Sequence, residues 1–186
     1  MTVHHSSPDA TPALLSFWYG EVGAERWFAA DAALDREIAR RFEPLRVMVL
    51  ADRAQGWRTS PGCLLAAIIL LDQFSRNVHR GTRRAFEADG VARELAWQAL
   101  DSGWTHAAAP DHRHFLLMPL MHSENLSDQQ RSVAEFQRHG DAALMPYALG
   151  HRDQILRFGR FPARNRALGR VSTPAERDAL ERGEIG

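Results

Sequence analysis

The amino-acid sequence predicts an all-α fold of about eight helices in a single domain, and three observations support this. Apolar residues recur at helical spacing over most of the chain, as in Leu34, Ile38 and Phe42. No alternation of apolar and polar residues is long enough to indicate a β-strand. No linker rich in glycine, serine or proline divides the chain. We therefore predict a flexible N-terminal lead-in over residues 1–10 and one all-α domain over residues 11–186.

The helix starts are marked by serine or threonine residues, most of which are followed by proline or, three residues later, by glutamate or glutamine. In chain order, the predicted N-caps are Thr11, Ser60, Thr82, Ser127 and Thr173. Each of these side chains can accept a hydrogen bond from a backbone N–H of the first helical turn.

The helix after Ser60 is predicted to lie at the centre of the core. It is apolar on every side from Cys63 to Leu71, and a helix of this kind is normally buried. It then continues into Asp72 and Gln73, so the pattern places two polar side chains at the end of a buried helix.

The composition restricts the possible classes of function. The chain has 186 residues, an apolar fraction of 45% and a formal net charge of zero, as expected for an ordinary globular protein. A balanced charge argues against a dedicated binder of nucleic acid, which we consider an unlikely partner. No run approaches the roughly 18 apolar residues of a membrane span. The N-terminus has no secretory signal pattern, so we expect a cytoplasmic protein without a membrane partner.

Several kinds of chemistry lack the residues that they require. All 23 basic residues are arginine, which excludes a Schiff-base or P-loop lysine. The single cysteine, Cys63, lies in an apolar run and is predicted to be buried and unreactive. No glycine-rich phosphate-binding motif or serine-nucleophile motif occurs, so we expect no cofactor.

Two arginine-rich segments, residues 71–81 and 155–170, form the main candidate binding site. Each follows an apolar helical run and contains a phenylalanine shortly before an Arg-Asn pair. Guanidinium groups bind carboxylates and phosphates through parallel hydrogen bonds, and asparagines can orient such ligands. We hypothesise that the two segments meet and line one cationic pocket. The predicted ligand-binding residues are Asp72, Gln73, Arg76, Asn77, Arg80, Arg160, Arg164, Asn165 and Arg170. The alternative is that the arginines cap helices and pair with nearby acids.

A second candidate site follows the apolar helix that ends at Met121. His122 and Glu124 lie two residues apart, and His151 follows later in the chain. These three residues are candidates for proton transfer. Together with Asp72 they offer nitrogen and oxygen ligands for a divalent ion, although their spacing matches no metalloenzyme motif. A polar corner that caps the helix is the simpler interpretation, and we predict no metal site.

These motifs resemble those of the bacterial proteins grouped as domain of unknown function 924. The resemblance rests on LLDQFxRNxxRG at residues 70–81, AFxxD at 85–89, HSE at 122–124 and FGRFPxRNxxLGR at 158–170. It implies an all-α fold similar to tetratricopeptide-like helical hairpins, and it implies no activity. The chain departs from the family pattern at Ser75, where the family has proline, and at Ala163, where it has histidine.

Three functions remain open from the sequence. The first is a pocket for an anionic small molecule, in which the arginines bind the ligand and His122 with Glu124 transfers protons. The second is a protein- or peptide-binding module with a concave polar groove. The third is a metal-dependent hydrolase that uses Asp72, His122, Glu124 and His151.

Overall fold

The computed structural model describes residues 8–140 and 142–185 of the chain, and the regular structure in this part is helical throughout. We number the helices α1 (Thr11–Leu15, extended by a π-helical stretch, Ser16–Val22), α2 (Ala32–Ala51), α3 (Pro61–Ile68, a π-helical stretch Ile69–Gln73, then Phe74–Val78), α4 (Asp89–Asp101), α5 (Trp104–Ala107), α6 (Pro110–Met121), α7 (Leu126–Arg138), α8 (Met145–Phe158), α9 (Asn165–Leu168) and α10 (Pro174–Glu181). The all-α prediction is confirmed. The sequence predicted fewer helices because α5 and α9 are single turns, too short to show a periodicity.

The predicted lead-in, residues 1–10, falls largely outside the described residues. Only its last three residues, Pro8–Ala10, are described, and they form a 3-10 turn before α1. Most of the buried apolar side chains from Leu14 to Ala148 then form one continuous cluster. None of the described helices combines the length and the apolar character that crossing a bilayer requires.

Two of the five predicted N-caps are confirmed. Ser60 accepts the backbone N–H of the third helical residue at 3.3 Å, and Thr173 forms a capping box with Glu176. The prediction for Ser127 was wrong, because the Asn125 side chain caps α7 and accepts the backbone N–H of Ser127 at 2.9 Å. The other two threonines make no side-chain cap: Thr11 is already the first residue of α1, and Thr82 precedes a 3-10 turn.

Helix α3 lies at the centre of the core, as its apolar sequence predicted. Every residue from Leu64 to Phe74 is buried, whereas Cys63, at the start of the helix, is partly exposed. The π-helical stretch in the middle of α3 places two polar residues, Asp72 and Gln73, inside the protein. π-Helical turns of this kind occur often at functional sites.

Helices α1, α2, α4 and α6 pack around α3. Helix α2 packs along its C-terminal half, and α4 and α6 pack against its N-terminal half. Helices α7 and α8 pack against each other and against α6. A tetratricopeptide-like arrangement of these hairpins stays a prediction. The fold brings the end of α3, the end of α6 and the first turns of α8 to one place.

Candidate functional site

A cavity of about 320 Å³ opens beside the C-terminal half of α3. It is lined by Trp27, Phe28, Ala29, Gln73, Arg76, Asn77, Arg80, Met118, Met121, His122, Leu144, Tyr147 and His151. Four of the predicted ligand-binding residues and two of the three predicted proton-transfer residues therefore surround one cavity. Asp72 does not line it but contacts His122.

The Asp72 side chain is an ionised carboxylate inside the protein. Its side chain is 1% exposed, and its oxygens accept hydrogen bonds from Gln73 Nε2 at 2.5 Å and lie 2.9 Å from Arg76 Nη1. Burial alone raises the pKa of a carboxyl group. The charge of Arg76 and the contact with His122 outweigh burial and hold the pKa of Asp72 well below its usual value.

His122 is oriented by this carboxylate. Its Nδ1 atom lies 2.9 Å from both oxygens of Asp72, so Nδ1 carries the ring proton and Nε2 keeps its lone pair. Burial lowers the pKa of His122; Asp72 opposes this effect, whereas Arg76 adds to it. The ring is therefore neutral near pH 7. No hydrogen bond among residues 8–140 and 142–185 uses Nε2, so this atom is available to a ligand in the cavity.

His151 lies on the neighbouring wall, with its ring centre 6.1 Å from that of His122. Its Nδ1 atom donates a hydrogen bond to the backbone oxygen of Tyr147 at 2.8 Å. Burial lowers the pKa of His151, and the charges of Arg164 and Arg76 lower it further. The charges of these two arginines therefore disfavour the protonated form of His151.

The two Arg-Asn segments meet at Asp89, the first residue of α4. Arg76 forms two parallel hydrogen bonds with this carboxylate, at 3.0 and 3.1 Å, and Arg164 Nη1 reaches it at 3.3 Å. The Arg164 guanidinium also packs against the rings of Phe86 and Phe161, at 4.8 and 4.4 Å. Burial, with the nearby charge of Arg76, lowers the pKa of Arg164 to about 10. The meeting point is thus an ion-pair cluster beside the cavity.

The rest of the second segment forms intramolecular bonds away from the cavity. Arg170 donates to both oxygens of Glu124, at 2.7 and 2.9 Å, and to the side-chain oxygen of Asn165. Arg160 donates to both oxygens of Glu176, at 2.6 and 2.8 Å. None of these five residues lines the cavity. In the structure Arg160, Asn165, Arg170 and Glu124 thus bind other residues of the chain and lie outside the cavity lining.

In the first segment, Asn77 and Arg80 are anchored by Asp35 of α2. Asn77 donates to this carboxylate at 2.8 Å, and Arg80 Nε and Nη2 donate at 3.2 and 3.1 Å. These bonds use only part of the donor capacity. Within the described part of the chain, no hydrogen bond uses Arg80 Nη1 or Arg76 Nε, so both guanidinium groups keep free N–H donors.

The aromatic rim of the cavity, formed by Phe28 and Tyr147, was not predicted from the sequence. Phe28 and Tyr147 are each 62% exposed, although most large apolar side chains of the chain are buried. Trp27 lies behind Phe28 and donates from its ring nitrogen to the backbone oxygen of Trp18 at 2.9 Å. The sequence showed that these residues are aromatic, but it did not show that the turn after α1 and the start of α8 face each other.

The four residues considered for a metal-dependent hydrolase are not assembled around one point. Asp72, His122 and His151 are near one another, but both oxygens of Glu124 bind Arg170. Across the described ranges, no three histidine, cysteine, aspartate or glutamate side chains are grouped so that they could hold a metal ion.

Both departures from the family pattern lie outside the cavity lining. The Ser75 hydroxyl accepts a hydrogen bond from the fully buried Arg46 at 3.3 Å, a contact that proline could not make. Ala163 is exposed on the surface. Neither difference therefore removes a side chain from the cavity lining.

Comparison with known proteins agrees with this description. The profile of the family described as "Bacterial protein of unknown function (DUF924)" matches residues 14–184. A solved structure, that of the protein of unknown function ATU0120 from Agrobacterium tumefaciens, is similar with a TM-score of 0.89 and 36% sequence identity. The match covers 94% of this chain and 98% of that one. No curated protein matches. This chain belongs to the bacterial DUF924 family.

Proposed function

We propose that the cavity binds a small molecule that combines an anionic group with an apolar or aromatic part. The observation that carries this proposal is the pairing of Arg76 and Arg80, which keep free N–H donors, with the exposed aromatic rim above them. Guanidinium donors bind carboxylates and phosphates through short, charge-assisted hydrogen bonds.

The electrostatics of the cavity support an anionic ligand. Besides burial, the charges of Arg164 and Arg76 lower the pKa of His151, whereas at His122 the charge of Asp72 outweighs that of Arg76. A positive charge that destabilises an imidazolium stabilises an anion at the same place. The neutral ring nitrogens of the two histidines would then accept hydrogen bonds from hydroxyl or amide groups of the ligand.

The walls of the cavity support a ligand with an apolar part. Phe28 and Tyr147 offer ring faces at the mouth, and Met118 and Leu144 line the interior. Ligand pockets commonly enclose about 300–1,000 Å³ and place a few polar groups in an apolar lining. With about 320 Å³, this cavity fits a small metabolite.

A protein- or peptide-binding module would instead require polar residues along an open concave groove. Here the polar residues of the first segment surround a cavity, and those of the second segment bind one another. This arrangement favours a small-molecule ligand.

Replacing Arg80 by glutamine tests the proposal. Isothermal titration with phenyl phosphate and phenylacetate, and with neutral 2-phenylethanol, compares the parent with Arg80→Gln. We expect the parent to prefer the anions and the variant to bind them about tenfold more weakly, as one charged hydrogen bond would predict.

The matched control is Arg40→Gln, which removes an exposed arginine whose one ion-pair partner within residues 8–140 and 142–185 is Glu37 of its own helix. This control should bind like the parent. Equal binding of neutral and anionic probes, or an undiminished affinity in Arg80→Gln, would contradict an anion site.

A further inference from the structure

The geometry points to a hydrolytic activity in this cavity. We infer that His122 is the general base and Asp72 its positioning residue for the hydrolysis of a carboxylic ester that carries a separate anionic group. The inference rests on the proposed anion binding, because Arg76 and Arg80 would hold that group beside His122.

The Asp72–His122 pair has the arrangement that a general base requires. The carboxylate is buried, ionised and fixed by Gln73 and Arg76, and it accepts a hydrogen bond from His122 Nδ1 at 2.9 Å. The lone pair of Nε2 then faces the cavity. The backbone oxygen of His122 accepts a hydrogen bond from Arg164 at 2.9 Å, which holds the backbone at this residue. A base of this kind is effective when it is neutral at the working pH.

The residues of the cavity indicate that water is the nucleophile. Among the described residues the lining contains no serine, threonine or cysteine, and the chain contains no lysine. A proton taken by Nε2 would therefore come from a water molecule beside the bound ester. Direct attack by water needs no covalent enzyme intermediate.

The reaction balances without a further reactant. His122 Nε2 accepts a proton from water while the water oxygen forms a bond to the ester carbonyl carbon, and the carbonyl oxygen takes the negative charge. The bond from that carbon to the alcohol oxygen then breaks, and the His122 imidazolium returns its proton to the leaving oxygen. The products are a carboxylic acid and an alcohol.

The arginines stabilise the charge that develops in this reaction. The oxygen of the carbonyl group becomes anionic near His151, whose pKa the charges of Arg164 and Arg76 lower. Fixed positive groups around a developing oxyanion are usually the largest single contribution to catalysis of acyl transfer. The Asp72 carboxylate, on the other side of the imidazole, stabilises the imidazolium form during the same step.

A pair of chromogenic esters tests the inference. The probes are 4-nitrophenyl hemisuccinate, which carries a free carboxylate, and neutral 4-nitrophenyl butyrate. The parent should hydrolyse the anionic ester with a kcat/KM about tenfold above that of the neutral ester. His122→Asn should lower kcat by about 100-fold, because its amide can still donate to Asp72 but cannot accept the proton from water.

The control is His106→Gln, which removes an exposed histidine of α5 outside the cavity and should leave the rate unchanged. Thermal unfolding of each variant verifies that it is folded. If His122→Asn does not fold, Asp72→Asn provides a second test with a different readout. Without the carboxylate the imidazolium of His122 is less stable, so the acid limb of the pH–rate profile should move to lower pH as kcat falls.

The hydrolysis-inert amide analogue, 4-nitrosuccinanilate, separates this inference from the proposed binding function. If the parent binds the amide but hydrolyses the hemisuccinate no faster than free imidazole does, or if the folded His122→Asn variant keeps the parental rate, the hydrolytic inference is wrong and the binding proposal stands. If the amide does not bind, both are wrong.

Discussion

Replacing Phe74 by alanine is expected to reduce the free energy of unfolding by about 3–5 kcal/mol. Phe74 directly follows the π-helical stretch of α3 and is fully buried. Its ring centre lies 6.1 Å from that of Phe17, 5.3 Å from that of Trp18 and 5.2 Å from that of Phe42. Removing the ring would therefore leave a cavity where α1, α2 and α3 meet. Chemical denaturation monitored by circular dichroism measures the loss.

Phe28→Ala provides the matched control for this prediction. Phe28 is 62% exposed at the mouth of the cavity, so the same substitution should cost less than about 1 kcal/mol. A similar loss of stability in the two variants would show that α3 is not the centre of the core. Because Phe28 contributes to the rim, this variant should instead weaken the binding of aromatic anions.

Replacing Arg76 by leucine is expected to cost about 3–5 kcal/mol at neutral pH. Arg76 pairs with two carboxylates, Asp72 inside the protein and Asp89 beside it. Without the guanidinium group, Asp72 remains a buried charge whose remaining partners are His122 and Gln73. A buried ion pair that loses one partner is strongly destabilising, because the other charge stays away from water.

The destabilisation by Arg76→Leu should depend on pH. The folded-state pKa of Asp72 lies below the usual value, so its contribution is fully present above the unfolded-state pKa of about 3.8 and is lost as the pH falls toward the folded-state pKa. In the variant this pKa rises, and Asp72 can be buried in its neutral form. The difference in stability between parent and variant should therefore be largest near pH 7 and should narrow as the pH falls through the raised pKa of Asp72 in the variant.

The control for this second prediction is Arg40→Leu. The Arg40 side chain is 71% exposed, and its ion pair with Glu37 should contribute less than about 1 kcal/mol. A loss of similar size in Arg76→Leu would mean that Asp72 is neutral or hydrated in the folded protein. Such a result would also mean that Asp72 is not the charged partner of His122.

The sequence contained the information for the fold class and for the centre of the core. Helical spacing and the uninterrupted apolar run of α3 are local signals, and burial follows directly from them. The cap at Thr173 was readable because the capping box is a short motif. The short helices α5 and α9 could not be predicted, because four residues show no periodicity.

The candidate site could be predicted only in part from the sequence, since its contacts join distant positions in the chain. The sequence indicated that His122 and Asp72 are polar residues at the ends of apolar helices, and the fold places them 2.9 Å apart. No sequence pattern, however, distinguished Arg76 from Arg160. Arg76 belongs to one Arg-Asn pair and Arg160 lies shortly before the other, yet Arg76 lines the cavity, whereas Arg160 binds Glu176. Ion-pair partners depend on tertiary packing, which sequence spacing does not encode.

The central claim is that a buried Asp72 carboxylate holds a neutral His122 with its Nε2 lone pair toward the cavity. Long-range ¹H–¹⁵N correlation spectra of the imidazole, recorded over a pH titration, test this claim directly. We expect His122 to be neutral at pH 7 in the Nδ1–H form, with a pKa below the usual value of about 6.5. A His122 ring that is protonated at pH 7, or that carries its proton on Nε2, would contradict the account.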